Sequence, residues 1–93
     1  MTQYSERYLE EKENDVLDLI NRNTLLLHND DFHTFDFVVE ALVDVCRHDP
    51  SQAEQCAYIT HFKGKCDVKK GKLSTIKPMR DRLAEKGLKV SIV

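Results

Sequence analysis

Long apolar runs are missing from this chain. None approaches the ~20 residues that a membrane-spanning helix needs. The first six residues, Met1 to Glu6, lack the basic and apolar regions of a secretory signal, so a cytoplasmic location is the expectation. Cysteine is scarce: Cys46, Cys56 and Cys66 are an odd number, ten apart, which argues against a closed disulfide framework. No pair has the C-x2–4-C spacing of a zinc site, and although Cys46 and His48 could chelate in principle, buried thiols in a reducing compartment are the simpler reading. The hydrolase signatures G-x-S-x-G and H-E-x-x-H are absent, as is any Cys-His signature and the spaced acidic loop of a calcium site. No cofactor, metal or catalysis is expected. Repeats and low-complexity stretches are also lacking.

What is present fits one small domain. The 93 residues are 41% hydrophobic and 32% charged. A chain this short buries only roughly 60% of its unfolded surface, so its core is thin. Net charge is −2, yet the halves differ. Residues 1–60 hold 13 acidic and 4 basic side chains, and residues 61–93 hold 3 and 10. The densest basic run is Lys63, Lys65, Lys69, Lys70 and Lys72. It could serve nucleic acid, making a non-enzymatic nucleic-acid-binding module the alternative function. It has little aromatic interleaving, however, and no known motif, so a solvated loop or a face for an acidic partner is favoured.

Residues 1–22 are highly charged at 10–15 and read as a mobile tail, with the core domain at 23–93. The core reads as strand, helix, helix, strand, helix, strand. Leu25, Leu26 and Leu27 predict a buried strand over 24–28. Apolar positions 35, 38, 39, 42, 43 and 46 follow the helical period over 34–47, with His33 or Thr34 as N-cap. Asp49-Pro50-Ser51-Gln52 opens a second helix with a capping acceptor and a proline at the first helical position. Ala53, Cys56, Ala57 and Thr60 share its narrow inner face, and Gly64 stops it. A short strand at 65–68 and a basic turn around Gly71 follow. A third helix starts near Ser74 or Thr75 and ends at Gly87, with Ile76, Met79 and Leu83 inward. Pro78 is expected in its first turn, where amides lack intrahelical partners. Leu88, Val90 and Ile92 alternate as a last strand. The simplest closure is α+β: a three-stranded antiparallel sheet packed with three helices, in the order βααβαβ.

The junction of the first strand and helix carries Asn29-Asp30-Asp31-Phe32. Asn and Asp bond their own backbone in turns, which accounts for one or two of the three acceptors. A cation-binding site is a competing reading. His61, near the end of the second helix, is the one histidine placed to join the cluster from another element.

These residues carry a resemblance. Asn29-Asp30-Asp31-Phe32, then His33-Thr34-Phe35-Asp36-Phe37-Val38-Val39, then Ala53-Glu54-Gln55 and His61-Phe62-Lys63-Gly64-Lys65, resemble the ClpS family, the Clp protease adaptors of the N-end rule. The resemblance covers residues 24–93, strong to Lys65 and weak beyond. It implies the βααβαβ fold of the ClpS core and of the ribosomal stalk protein's C-terminal domain. It implies an adaptor that binds the free N-terminal residue of N-degron substrates and delivers them to the N-terminal domain of a ClpA- or ClpC-type AAA+ unfoldase. The α-amino-binding residues carried over are Asn29, Asp30 or Asp31, and His61, with Asp31 favoured as the direct carboxylate. The pocket for the first side chain maps onto Leu27, His28, His33 and Phe35. It continues through Val38, Ala57, Thr60 and Leu88. Here the chain departs from the family: His33 stands for a Thr, Phe35 and Ala57 for Met, and Thr60 for a Val. A reshaped pocket is expected. The acidic residue that helps the family dock on its unfoldase has no clear counterpart, and Lys69 to Lys72 stand nearby instead.

Overall fold

A computed structural model describes residues 22–93. The expected tail, 1–22, lies outside the described residues as far as residue 21. The elements are β1 (Asn23–His28), α1 (Phe35–Cys46), α2 (Pro50–Lys63), β2 (Lys65–Gly71), α3 (Leu73–Glu85) and β3 (Lys89–Ile92). Strand order is β2-β1-β3, with both pairings antiparallel. The leucine-rich strand is therefore central, which suits its continuous apolar character. Leu25 and Leu27 enter the core with Leu42, Val45, Ile76 and Leu83. Leu26 is buried outside that cluster, on the opposite side, as the period of two requires.

The helix ends follow local chemistry. Thr34 caps α1, its hydroxyl accepting from the Phe37 amide at 3.2 Å. Asp49 caps α2, accepting from the Gln52 amide at 2.8 Å, with Pro50 in the first turn. Gly64 closes α2 at φ 92°, a left-handed conformation that glycine adopts without strain. Its carbonyl accepts from the Asn29 amide at 2.8 Å. That bond pins the acceptor turn to the end of α2, three residues beyond His61.

Three expectations are corrected. First, β2 does not end at 68 but runs to Gly71, so Lys69 and Lys70 lie on a strand. Pairing with Asn23, Thr24 and Leu25 overrides the weak strand preference of lysine. A bulge between Leu25 and Leu26 accommodates the extension and leaves Val68 outside the paired register. The Val68 carbonyl accepts instead from buried His48 Nε2 at 2.6 Å, so that nitrogen is not free to chelate with Cys46. Second, α3 begins at Leu73, directly after Lys72. Ser74 and Thr75 fall inside its first turn, and the Lys72 carbonyl accepts from the Thr75 and Ile76 amides, both at 3.0 Å. Third, Pro78 is the sixth helical residue, beyond the first turn. It deprives the Ser74 carbonyl of its usual donor. Both residues are exposed, which leaves that carbonyl open to water.

Lys69 also has structural work. Its ammonium donates to the Cys46 carbonyl at 3.4 Å, supplying a cation at the C-terminus of α1, whose last turn has no basic residue. Lys70 pairs with Asp67 at 3.7 Å.

All three thiols are free and buried. Burial pushes Cys46 up to about 11, and burial together with a hydrogen bond involving Cys56 pushes Cys66 up to about 12. Cys46 and Cys66 therefore carry almost no thiolate at neutral pH. In the native protein, titration with an aromatic disulfide reagent should show slow labelling limited by unfolding. Full labelling in urea should be fast. Fast native labelling of all three would contradict this burial.

Candidate functional site

A cavity of about 420 Å³ opens between the end of β1, the start of α1 and the last turns of α2. The elements described above converge there. Leu27, Val38, Ala57 and Leu88 supply an apolar wall. His28, His33 and Thr60 add polar groups to it. Asn29 and Asp30 enter from the β1–α1 turn and His61 from α2. Phe35, Tyr58 and Phe62 complete the lining. All eight residues mapped by resemblance to a pocket thus line one cavity, with three of the four mapped to the α-amino group.

Asp31 is the exception. It is exposed and outside the lining, whereas Asp30 is half-buried and faces inward. The local geometry explains the choice. Asp30 Oδ1 accepts from the amides of Phe32, at 2.9 Å, and His33, at 2.8 Å, folding the turn back on itself. The His33 ring lies 3.0 Å from Asp30 Oδ2 and 3.1 Å from Oδ1 through Nδ1. An ionised carboxylate only accepts, so Nδ1 is the protonated nitrogen. Phe37 stacks on that ring at 4.8 Å, holding it in place. On its remaining side the ring meets Gly87, where an added Cβ would fall 3.2 Å from Nε2. Burial by itself would raise the Asp30 carboxyl, but the His33 and Phe32 hydrogen bonds and the His33 ring outweigh it and hold it below its ordinary value. The carboxylate is thus ionised at neutral pH. Its stabilising contribution is present above the ordinary value and fades as pH falls through the lowered one.

The remaining polar groups are set by their elements. His28 Nε2 shares a hydrogen bond with Ser91 Oγ across β1 and β3 at 2.7 Å. The Thr60 hydroxyl donates to the Cys56 carbonyl at 2.7 Å, which leaves its oxygen an acceptor. His61 is exposed, with its ring edge-on to Phe62 at 4.9 Å.

The residues mapped by resemblance to the site did not include Tyr58 or Phe62, although Phe62 stands in the motif that runs from His61 to Lys65. The signal was their i, i+4 spacing on the outer face of α2, opposite the buried row of Ala53, Cys56, Ala57 and Thr60. Nor did the resemblance point to the Asp30–His33 pair, because His33 stands where relatives carry another residue. Among the described residues, no group of three or more His, Cys, Asp or Glu is placed to hold a metal ion. No described helix is long and apolar enough to cross a membrane.

Fold and cavity together define a small α+β domain with an apolar hollow that Asn29, Asp30 and His61 help to line. The family is given by the sequence itself. The profile of "ATP-dependent Clp protease adaptor protein ClpS" matches residues 20–91, and the chain belongs to this ClpS family of Clp protease adaptors. It is similar to the ClpS adapter of Nitratidesulfovibrio vulgaris, 45% identical over 40 residues, covering 43% of this chain and 40% of the relative. The ClpS adapter of Oleidesulfovibrio alaskensis is 44% identical over 43 residues, covering 46% of this chain and 41% of the relative. The matches therefore span about two-fifths of the length of these curated relatives. The fold resembles that of Agrobacterium tumefaciens ClpS2 bound to L-phenylalaninamide, with TM-score 0.69 and 21% identity, covering 80% of this chain and 96% of that one.

Proposed function

We propose that this chain binds the free N-terminal residue of another polypeptide, with a bulky apolar first side chain, and hands it to an unfoldase. The observation that carries this reading is the mixed lining of the cavity: Asn29, Asp30 and His61 share it with the apolar side chains of Leu27, Val38, Ala57 and Leu88. An α-ammonium offers three donors in tetrahedral directions. A carboxylate supplies charge, a carboxamide oxygen supplies direction, and a neutral imidazole nitrogen is a third acceptor. Asp30 Oδ1 is already engaged three times, but Oδ2 meets only the His33 ring and keeps a lone pair for a ligand. Asp30 is the carboxylate of this site, and Asp31 is not.

Each charge-assisted bond contributes on the order of 1.5–3 kcal/mol, and burying a Phe or Leu side chain roughly 1.5–3 kcal/mol. Association costs at least about 4 kcal/mol, so neither half suffices alone. The site reads a free amine and an apolar first residue jointly. That ClpS2 is bound to L-phenylalaninamide, which has both features, supports the reading. The chain binds and releases; it performs no chemistry. The receiving partner is the N-terminal domain of a ClpA- or ClpC-type AAA+ unfoldase, and residues 1–22 are the segment that assists the hand-over.

Fluorescence anisotropy with a C-terminally labelled peptide starting in free Phe tests this. Saturable binding is expected, and it should weaken by more than about tenfold in Asp30→Ala but by less than about threefold in Asp31→Ala. Because Asp30 also shapes its turn, circular dichroism must show Asp30→Ala folded. A larger loss in Asp31→Ala would return the role to Asp31. Absence of binding to any free-amine peptide would remove the function.

A further inference from the structure

The cavity has a direction, and exposure reveals it. Its deepest lining residues, Leu27, Ala57, Thr60 and Leu88, are buried. Only four lining residues are exposed: Phe35, Tyr58, His61 and Phe62. The mouth is therefore bounded by these four. Three of them, Phe35, Tyr58 and Phe62, carry benzene-type rings in contact. Phe35 meets Tyr58 edge-on at 5.2 Å, and Tyr58 stacks on Phe62 at 5.6 Å. The rings form one strip from the first turn of α1 across the last two turns of α2. Phe62 is 72% exposed and Tyr58 56%, which leaves an apolar strip open to solvent. Tyr58 also belongs to a second, shallower hollow of about 440 Å³ on the outer face of α2, with Ser51, Glu54, Gln55 and Ile59.

Resting on the function proposed above, we infer that this aromatic strip is a binding site for the second side chain of the bound polypeptide, and that it selects a large apolar residue there. The first side chain points inward and its ammonium lies at Asn29, Asp30 and His61. The peptide's carbonyl and every later residue must then leave by the mouth. Phe62 touches His61 and so adjoins the ammonium end. Consecutive Cα atoms are 3.80 Å apart, so the second residue emerges next to the first, at the exposed rings. A large apolar second side chain lies flat on rings already exposed, removing apolar surface from water on both partners. Glycine gives no such contact. Aspartate would desolvate a charge against the negative faces of the rings. Beyond the second residue, the chain continues over Tyr58 into the hollow on α2.

The test uses three peptides alike except at position two: Phe-Leu, Phe-Gly and Phe-Asp, each with a free N-terminus and a common tail. Anisotropy titration should give Phe-Leu at least about fivefold tighter than Phe-Gly, with Phe-Asp weakest. In the Tyr58→Ala/Phe62→Ala variant, whose fold is checked by circular dichroism, the ratio of Phe-Leu to Phe-Gly should fall below about twofold. Retention of the full preference in the variant overturns the inference. So does equal affinity of the three peptides for the native protein while N-acetylation still blocks binding. If acetylated and free peptides bind alike, or none binds, the proposed function itself fails and the inference with it.

Discussion

Acetylating the N-terminus of a Phe-first peptide should weaken its binding at least about a hundredfold. Acetylation removes the positive charge and two of the three donors, and it adds bulk to the group proposed to meet Asn29, Asp30 and His61 of the cavity lining. Losing two charge-assisted bonds forfeits roughly 3–6 kcal/mol, and each 1.4 kcal/mol is about tenfold. The apolar contact of the first side chain survives, but alone it does not cover the cost of association. A smaller titration effect has the same origin. An α-amino group has a pKa of about 7.7–8.0, so affinity should fall as pH rises above about 8. The Asp30 carboxylate, held below its ordinary value, stays ionised over that range and does not contribute to the fall. Equal affinity of the free and acetylated peptides would show that the acceptor cluster does not read the amine.

The second large effect is on stability. Leu42→Ala should destabilise the domain by about 2–5 kcal/mol, the cost of a Leu-to-Ala truncation in a packed core. Leu42 is fully buried and packs within the cluster that joins α1 to the sheet and to α3. Domains of this size have only about 5–15 kcal/mol to lose, and a thin core puts this one toward the lower end. With a urea slope of about 1 kcal/mol/M, the unfolding midpoint should drop by about 2 M or more. A loss under about 1 kcal/mol would mean that the surroundings collapse onto the vacated space. Val38, one helical turn from Leu42, stands in the cavity wall. Loss of this core contact should therefore reduce the amount of competent protein before it changes which peptides are preferred.

The parts legible in the sequence are those whose cause is local. Asp49 and Pro50 announce the start of α2 because the cap is made by those residues themselves. Gly64 announces its end because a left-handed turn suits glycine. The leucines of β1 read as a buried strand because they form a short continuous apolar run. The length of β2 was not legible: Lys69 and Lys70 are poor strand formers, held in place by partners on β1 more than forty residues earlier. Pro78 was misplaced because the start of α3 follows from where β2 lets go, not from the nearest hydroxyl. The choice between Asp30 and Asp31 was also beyond the sequence. The two are chemically identical neighbours, and the direction of Asp30 is set by the His33 ring and two backbone amides.

Among the described residues, the order β2-β1-β3 leaves two open edges. Exposed edges are templates onto which any extended polypeptide can add a strand. Here one edge is four residues long and opens with Lys89, while the other carries a bulge and the side chains of Lys65, Lys69 and Lys70. Charge, irregularity and shortness are the usual deterrents to such addition. On the function proposed above, this protein meets extended backbone constantly. The lysines that resemble a nucleic-acid patch would then discourage those chains from pairing along the sheet, leaving the cavity as their place of entry.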